Sequence, residues 1–207
     1  VSTLHREYKD YDEYVSHQKR KLKIGIKKDI KKFRASSFDR VVKSFVTRVK
    51  KFEKYIEGQD ILCLGARLGH EVKAFRDLGF EKTIGIDLNP GENNCYVVKG
   101  DFHNTGFADK SFDTIYTNSI DHAWDFKLLF EEMDRILRPN GVVVLEVDHL
   151  VKKNDKKRRE WIKKESKYES LMFDNIKDIK KQLSGFEIVK SFESAHASEI
   201  VIVIKKK

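Results

Sequence analysis

The segment that most narrows the choice of fold is Asp60–Val72, DILCLGARLGHEV, in which four apolar residues run directly into Gly65-Ala66-Arg67-Leu68-Gly69 and then into a helical pattern. A short continuous apolar run that stops at glycine is consistent with a strand buried on both faces, and such strands belong to parallel sheets covered by helices. The rhythm repeats downstream. His70–Leu78 reads as a helix stopped by Gly79, Thr83–Leu88 as a second strand ending in an acid, Tyr96–Val98 as a short strand before Gly100-Asp101, and Phe112–Thr117 as a fourth. Phe126–Leu137 reads as a helix, Pro139-Asn140-Gly141 as a turn, and Val142–Val147 as a fifth strand. Strands alternating with helices pair in parallel through right-handed crossovers, so the expected class is an α/β, doubly wound, mostly parallel sheet. Residues 151–183 are expected to return to helix, and 186–193 and 199–204 to form two closing strands joined through Ser194–Ser198.

Upstream, Phe38, Val41, Val42, Phe45, Val46, Val49, Phe52 and Ile56 recur at spacings of three and four with Lys and Arg between them, the signature of an amphipathic helix that must bury one face. Tyr8, Tyr11, Tyr14 and Val15 give a weaker helical stripe. Between the two lies KRKLKIGIKKDIKKFR, residues 19–34, which reads either as a basic lid or as a solvated connector. The chain is therefore expected to be one domain, 58–207, with an N-terminal helical extension, 1–57, that covers the substrate.

At 207 residues the chain is long enough for a sizeable core, and 36% charged residues with only 11 Gly and 2 Pro exclude fibrous and most disordered classes. Charge is unevenly placed. Residues 1–57 carry 17 Lys/Arg against 8 Asp/Glu, residues 58–150 carry 9 against 16, and residues 151–207 carry 16 against 9. The middle is acidic and both flanks are basic. Two cysteines, Cys63 and Cys95, are too few for a disulfide framework and show no metal-ligand spacing, which points to a reducing cytoplasm. No run approaches the ~20 apolar residues of a membrane span, and the N-terminal residues hold no signal-peptide core.

The chemistry-bearing residues sit at strand ends. Glycine in the 65–69 turn lets the backbone bend sharply and lets a ligand approach without meeting a Cβ, although a tight structural turn would look the same. Asp87 follows Gly65 by 22 residues at the end of the next strand, where an acid is placed to accept hydrogen bonds from ribose hydroxyls. Asp101 and Phe102, after the third strand, suit an adenine ring: a carboxylate for its exocyclic amine and an apolar neighbour for its face. Asn118, Asp121 and His122 open from the fourth strand toward the same crevice.

The order LCLGARLG, GIDLNP, GDF, FADKSFDTIYTN and ILRPNGVVVLEV resembles the class I S-adenosylmethionine-dependent methyltransferases, in particular the small-molecule, type 11-like group. The resemblance covers residues 58–150 and, more faintly, the closing strands. It implies a Rossmann-like sheet of seven strands whose last, EIVIVI, is antiparallel. It also implies S-adenosylmethionine as cofactor, S-adenosylhomocysteine as product, and cofactor contacts at Gly65, Ala66 and Gly69 (methionine part), Asp87 and Leu88 (ribose), Asp101 and Phe102 (adenine) and Asn118. Two positions depart from the family pattern. Cys63 stands where an acid is usual and Arg67 where a glycine is usual. Glu71, just inside the next helix, is the candidate to supply the missing charge, and Arg67 to face the methionine carboxylate; otherwise Glu71 caps its helix and Arg67 points to solvent.

Methyl transfer from a sulfonium needs mainly proximity and alignment. A base is needed only if the acceptor loses a proton, and for a hydroxyl acceptor His122 is the first candidate, oriented by Asp121, with His103 the second. The expected acceptor is a small molecule or glycan, and the basic flanks favour an anionic one. An RNA or other nucleic-acid methyltransferase is the alternative that those flanks also serve, and a cofactor-binding homologue without turnover is another. An NAD-dependent oxidoreductase is disfavoured by GxxxG in place of GxGxxG. Nothing in the sequence indicates an oligomeric state.

Overall fold

The computed structural model describes residues 4–20, 35–147, 171–172, 179, 181–183, 185–193 and 200–207. In chain order these form β1 (Leu4–His5), a helix α1 over residues 11–20, α2 (Ala35–Phe52), β2 (Ile61–Leu64), α3 (His70–Asp77), β3 (Ile84–Asp87), β4 (Val97–Lys99) and β5 (Phe112–Thr117). They continue as α4 (Phe126–Ile136), β6 (Leu137–Val147), β7 (Leu171–Met172), β8 (Phe186–Glu193) and β9 (Ile200–Lys206).

Seven strands make one sheet in the order β4-β3-β2-β5-β6-β9-β8. The pairs from β4 through β6 are parallel, and β9 runs antiparallel to both β6 and β8. This is the expected doubly wound, mostly parallel sheet with its last strand reversed. The chain leaves β2 toward β3 on one side and returns to β5 on the other. The crevice between these strand ends is the switch point at which open α/β sheets bind ligands.

The two faces of the sheet carry separate cores. On one, α4 lays Phe126, Leu129, Phe130, Met133 and Ile136 against Leu62, Ile115, Val143 and Ile202, joined by Ile179 and Leu183. On the other, α2 and α3 cover Ile61, Cys63, Tyr116, Val144 and Val203. The buried apolar residues of α2 are on the stripe its spacing predicts, Val42, Phe45, Val49 and Phe52, while Lys43, Thr47 and Lys50 stay in water. Phe52 stacks on Tyr116 with ring centroids 5.8 Å apart. So α2 supplies one of the layers that enclose the sheet.

Three local expectations change. Pro139-Asn140-Gly141 lies within β6 instead of ahead of it, because β5–β6 pairing starts at Phe112 with Leu137 and resumes at Thr114 with Val142, leaving Arg138–Gly141 as a bulge with Asn140 left-handed. The preceding helix accordingly stops at Ile136. Leu171–Met172, expected as helix, is a strand, because it pairs antiparallel with Leu4–His5 and so satisfies the backbone groups of both segments. The Lys-rich stretch from 21 to 34, most of 151–183 and the connection Ser194–Ser198 lie outside the described residues. Among the described residues, no helix is long and apolar enough to cross a membrane.

Candidate active site

A cavity of about 460 Å³ lies at the carboxyl ends of the strands around the switch point. Its floor is the turn after β2, with Gly65, Ala66 and Arg67, and the end of β3, with Asp87 and Leu88. Phe102 lines it from beyond β4, Asn118 and His122 from beyond β5, and Glu71 from the first turn of α3. Tyr14 and Gln18 of α1 and Phe45 of α2 line it from the N-terminal helices.

The glycine turn is held from both sides. Gly65 and Ala66 donate their N–H groups to Ile86 O at 2.9 and 3.1 Å. Gly65 is left-handed, and a Cβ there would lie 2.8 Å from Cβ of Ser119, so any other residue would push the β2 and β5 strand ends apart. Arg67 is also left-handed, and its N–H donates to Asp87 Oδ2 at 3.1 Å, while Asn89 N–H donates to Oδ1 at 2.8 Å. The Asp87 carboxylate is thus pinned to the turn that it faces. Gly69 has a different job. It starts α3 with φ +82, a Cβ there would lie 2.4 Å from Tyr96 Cβ, and it stands outside the cavity lining.

Asp101 also stands outside the lining, its Oδ1 accepting from His103 N–H and facing His103 Nδ1, each at 2.8 Å. His103 Nε2 accepts the backbone N–H of Trp124 at 3.1 Å, so the ring proton sits on Nδ1 and points at Asp101. With both nitrogens engaged and the side chain 4% exposed, His103 ties the β4 loop to the loop after β5 and is removed from the candidates for a base. Asn118 accepts the Ser119 hydroxyl at 3.1 Å, which leaves its amide NH₂ as the donor for the cavity. His122 lines the cavity but Asp121 does not, and no hydrogen bond joins them: adjacent residues of a 3₁₀ turn project about 120° apart. Asp121 therefore does not orient His122.

Residues of α1 that no sequence motif marks form a partial roof. Tyr14, 1% exposed, packs on Trp124 with centroids 6.5 Å apart and meets the His103 ring edge-on at 5.6 Å. Tyr11 lies 5.0 Å from Trp124. Burial raises the Tyr14 hydroxyl above the ordinary tyrosine range, with Tyr8 and the Asp87 charge adding to it. The stripe Tyr11, Tyr14, Val15 signals a helix, but nothing in it tells that helix to pack over the switch point.

Residues 62–145 match the family model described as a methyltransferase domain, and the match spans the glycine turn and every strand end that lines the cavity. Over these residues the chain is similar to a methyltransferase domain, as the resemblance read from its sequence implies. Over 101 residues it is 27% identical to the sterol 24-C-methyltransferase of Aspergillus fumigatus, 42% of this chain and 27% of that protein. Over 62 residues it is 32% identical to the demethylmenaquinone methyltransferase of Staphylococcus haemolyticus, 30% of this chain and 26% of that protein. The chain thus matches about a quarter of the length of these curated relatives. Its fold is similar to that of an S-adenosylmethionine-dependent methyltransferase from Archaeoglobus fulgidus, with TM-score 0.65 and 16% identity over 80% of this chain and 94% of that one.

In and behind the wall of the cavity lies a group of buried ionisable side chains. Arg48 of α2 and Glu146 of β6 form a bidentate ion pair, and Tyr116 donates its hydroxyl to the same carboxylate. Glu71, 6% exposed, is raised to about 8 by burial. Cys63, in the position where the family pattern has an acid, is wholly buried and its thiol is pushed up by desolvation. His70 is lowered to about 4 by burial and by Arg67 nearby, so its ring is neutral.

Proposed function

We propose that this domain transfers a methyl group from S-adenosylmethionine to a small, anionic acceptor held between the strand ends and α1. The observation that carries the reading is the convergence, in one roofed cavity, of the glycine turn, the pinned Asp87 carboxylate, Phe102 and Asn118. The residues present fit the cofactor. Asp87 has oxygen lone pairs for ribose hydroxyls, Leu88 and Phe102 offer apolar surface for adenine, and the left-handed turn at Gly65 brings backbone close to the methionine part. Asp101 acts behind them by holding His103 and the adjoining loop. When bound, the cofactor supplies a methyl group on a sulfonium, whose departure leaves a neutral thioether. The chain's own contribution is alignment: Tyr14, Gln18 and Phe45 line the cavity across from the strand ends and limit water around the reacting atoms.

A roofed cavity of about 460 Å³ suits a small acceptor better than a polynucleotide, and the basic flanks favour phosphate or carboxylate on it. Within 1–57, α1 with Tyr14 and Gln18 would then act as the acceptor's cover, while α2 serves mainly as a layer of the core. Calorimetry tests the cofactor: S-adenosylmethionine and S-adenosylhomocysteine should bind and NAD should not, and failure of both sulfur compounds at millimolar concentration overturns the reading.

For an acceptor hydroxyl, His122 is the remaining histidine of the two named that can take the proton. His122→Ala should lower kcat by about 10²–10⁴-fold while S-adenosylhomocysteine still binds. Full turnover by that variant on its hydroxyl acceptor would remove His122 from the chemistry.

A further inference from the structure

Glu71 is buried, lines the cavity, and receives no hydrogen bond from any other described residue; its own backbone N–H is the group that faces it. A carboxyl so placed is costly to ionise without a cation beside it. The surroundings sharpen this. Arg48 from α2, Asp87 from β3 and Glu146 from β6 act electrostatically on Glu71, which acts in turn on Cys63 from β2 and Tyr116 from β5; His70 precedes it at the start of α3, Arg67 lies in the turn ahead and Arg76 farther along α3. Arg48 is the cation acting on Glu71, and it is already bound through two nitrogens to Glu146. His70 is neutral, and burial keeps Cys63 and Tyr116 protonated. An ionised Glu71 would therefore be the third carboxylate, with Asp87 and Glu146, around one committed guanidinium.

Arg67 lines the same cavity, but among the described residues Arg48 is the cation that acts on Glu71, and Glu146 already holds it, so an ionised Glu71 calls for a positive charge of its own. We propose that Glu71 is the cation-binding group of the pocket: it takes the α-ammonium of the cofactor's methionine part and releases its own proton to solvent as it does so. This rests on the cofactor reading above. The step balances as a neutral carboxyl plus a bound ammonium giving a carboxylate–ammonium pair and one free proton. The strand position that would carry an acid in the family pattern, Cys63, then has no charge to supply, and the carboxylate reaches the pocket from α3 instead. Burial holds Glu71 protonated to about pH 8, so at neutral pH the empty pocket carries the proton that binding must displace.

The test is titration calorimetry of the full chain with S-adenosylhomocysteine in two buffers of different ionisation enthalpy, from pH 6 to 8. The expected result is release of close to one proton per ligand at pH 6–7, with affinity weakening about tenfold for each pH unit below 8. Glu71→Gln, nearly isosteric, should abolish the proton release and the pH slope and weaken binding. Methylthioadenosine, which keeps the nucleoside and lacks the ammonium, should bind without proton release and without sensitivity to Glu71→Gln. Thermal melts of Glu71→Gln establish that the variant is folded. If S-adenosylhomocysteine binds with no proton release, or the variant keeps the wild-type pH slope, the role of Glu71 is overturned and the cofactor reading stands. If no sulfur ligand binds, the cofactor reading itself falls and this assignment falls with it.

Discussion

Replacing Arg48 with methionine should destabilise the protein by about 3–5 kcal/mol, the usual effect of removing one partner of a buried ion pair and leaving the other charge behind. For a domain of this size that corresponds to a fall in Tm of roughly 6–20 °C. The reason is local. Glu146 lies one residue before the end of β6, 2% exposed, and its two carboxylate oxygens are matched by Arg48 and by the Tyr116 hydroxyl. Without Arg48 the Glu146 charge loses its guanidinium and keeps the neutral Tyr116 hydroxyl, with Glu71 acting on it electrostatically. Arg48→Met with Glu146→Gln should recover most of the loss, because the uncompensated charge goes with its partner. Chemical denaturation of the wild type, the single variant and the double variant checks this. Equal losses in single and double variants would show that the damage comes from packing of the Arg48 stem on Phe45, 4.5 Å beneath the guanidinium, and not from charge.

How far the sequence could be read followed the range of the interactions involved. The central strands were legible because each one is buried on both faces and ends at a residue with a backbone reason to be there: Gly65 in a left-handed turn, Asp87 as acceptor for the turn's N–H groups. The closing pair β8 and β9 was legible from its β-branched run, and its register with β6 follows from burial. The strand Leu171–Met172 was not legible, because its partner, Leu4–His5, stands at the far end of the chain. Asp121 and His103 misled for a related reason. Spacing places both near the cavity mouth, but their work is decided by where the side chain points and what it already holds. His103 spends one nitrogen on Asp101 and the other on the Trp124 N–H, a pairing across 21 residues that no local pattern announces. The roof was missed likewise: Tyr14 finds Trp124 and His103 only after two loops have been brought together. Glu71 was visible as a carboxyl near the turn. Its meaning depends on Arg48 being occupied by Glu146, 98 residues away from it.

The largest loss of ligand affinity is expected at Asp87. Its carboxylate has two tasks that a single substitution removes together: it accepts the Arg67 and Asn89 N–H groups, which fix the turn, and it is the proposed partner of the ribose hydroxyls. Hydrogen bonds to a charged group contribute about 1.5–3 kcal/mol each, so two such bonds to the ribose correspond to roughly 10²–10⁴-fold in affinity for S-adenosylhomocysteine. Asp87→Ala should show this loss in calorimetry. Asp87→Asn, which keeps one acceptor oxygen and the size of the side chain, should lose less. The two tasks separate when the ligand is changed instead of the protein. A dideoxy analogue that lacks both ribose hydroxyls should bind the wild type more weakly and should then be nearly indifferent to Asp87→Ala, because the contact removed by the mutation is already absent. If the mutation weakens the analogue as much as it weakens S-adenosylhomocysteine, Asp87 acts through the turn alone. The hydroxyls would then need another partner, and the most direct structural argument for a nucleoside in this cavity would be withdrawn.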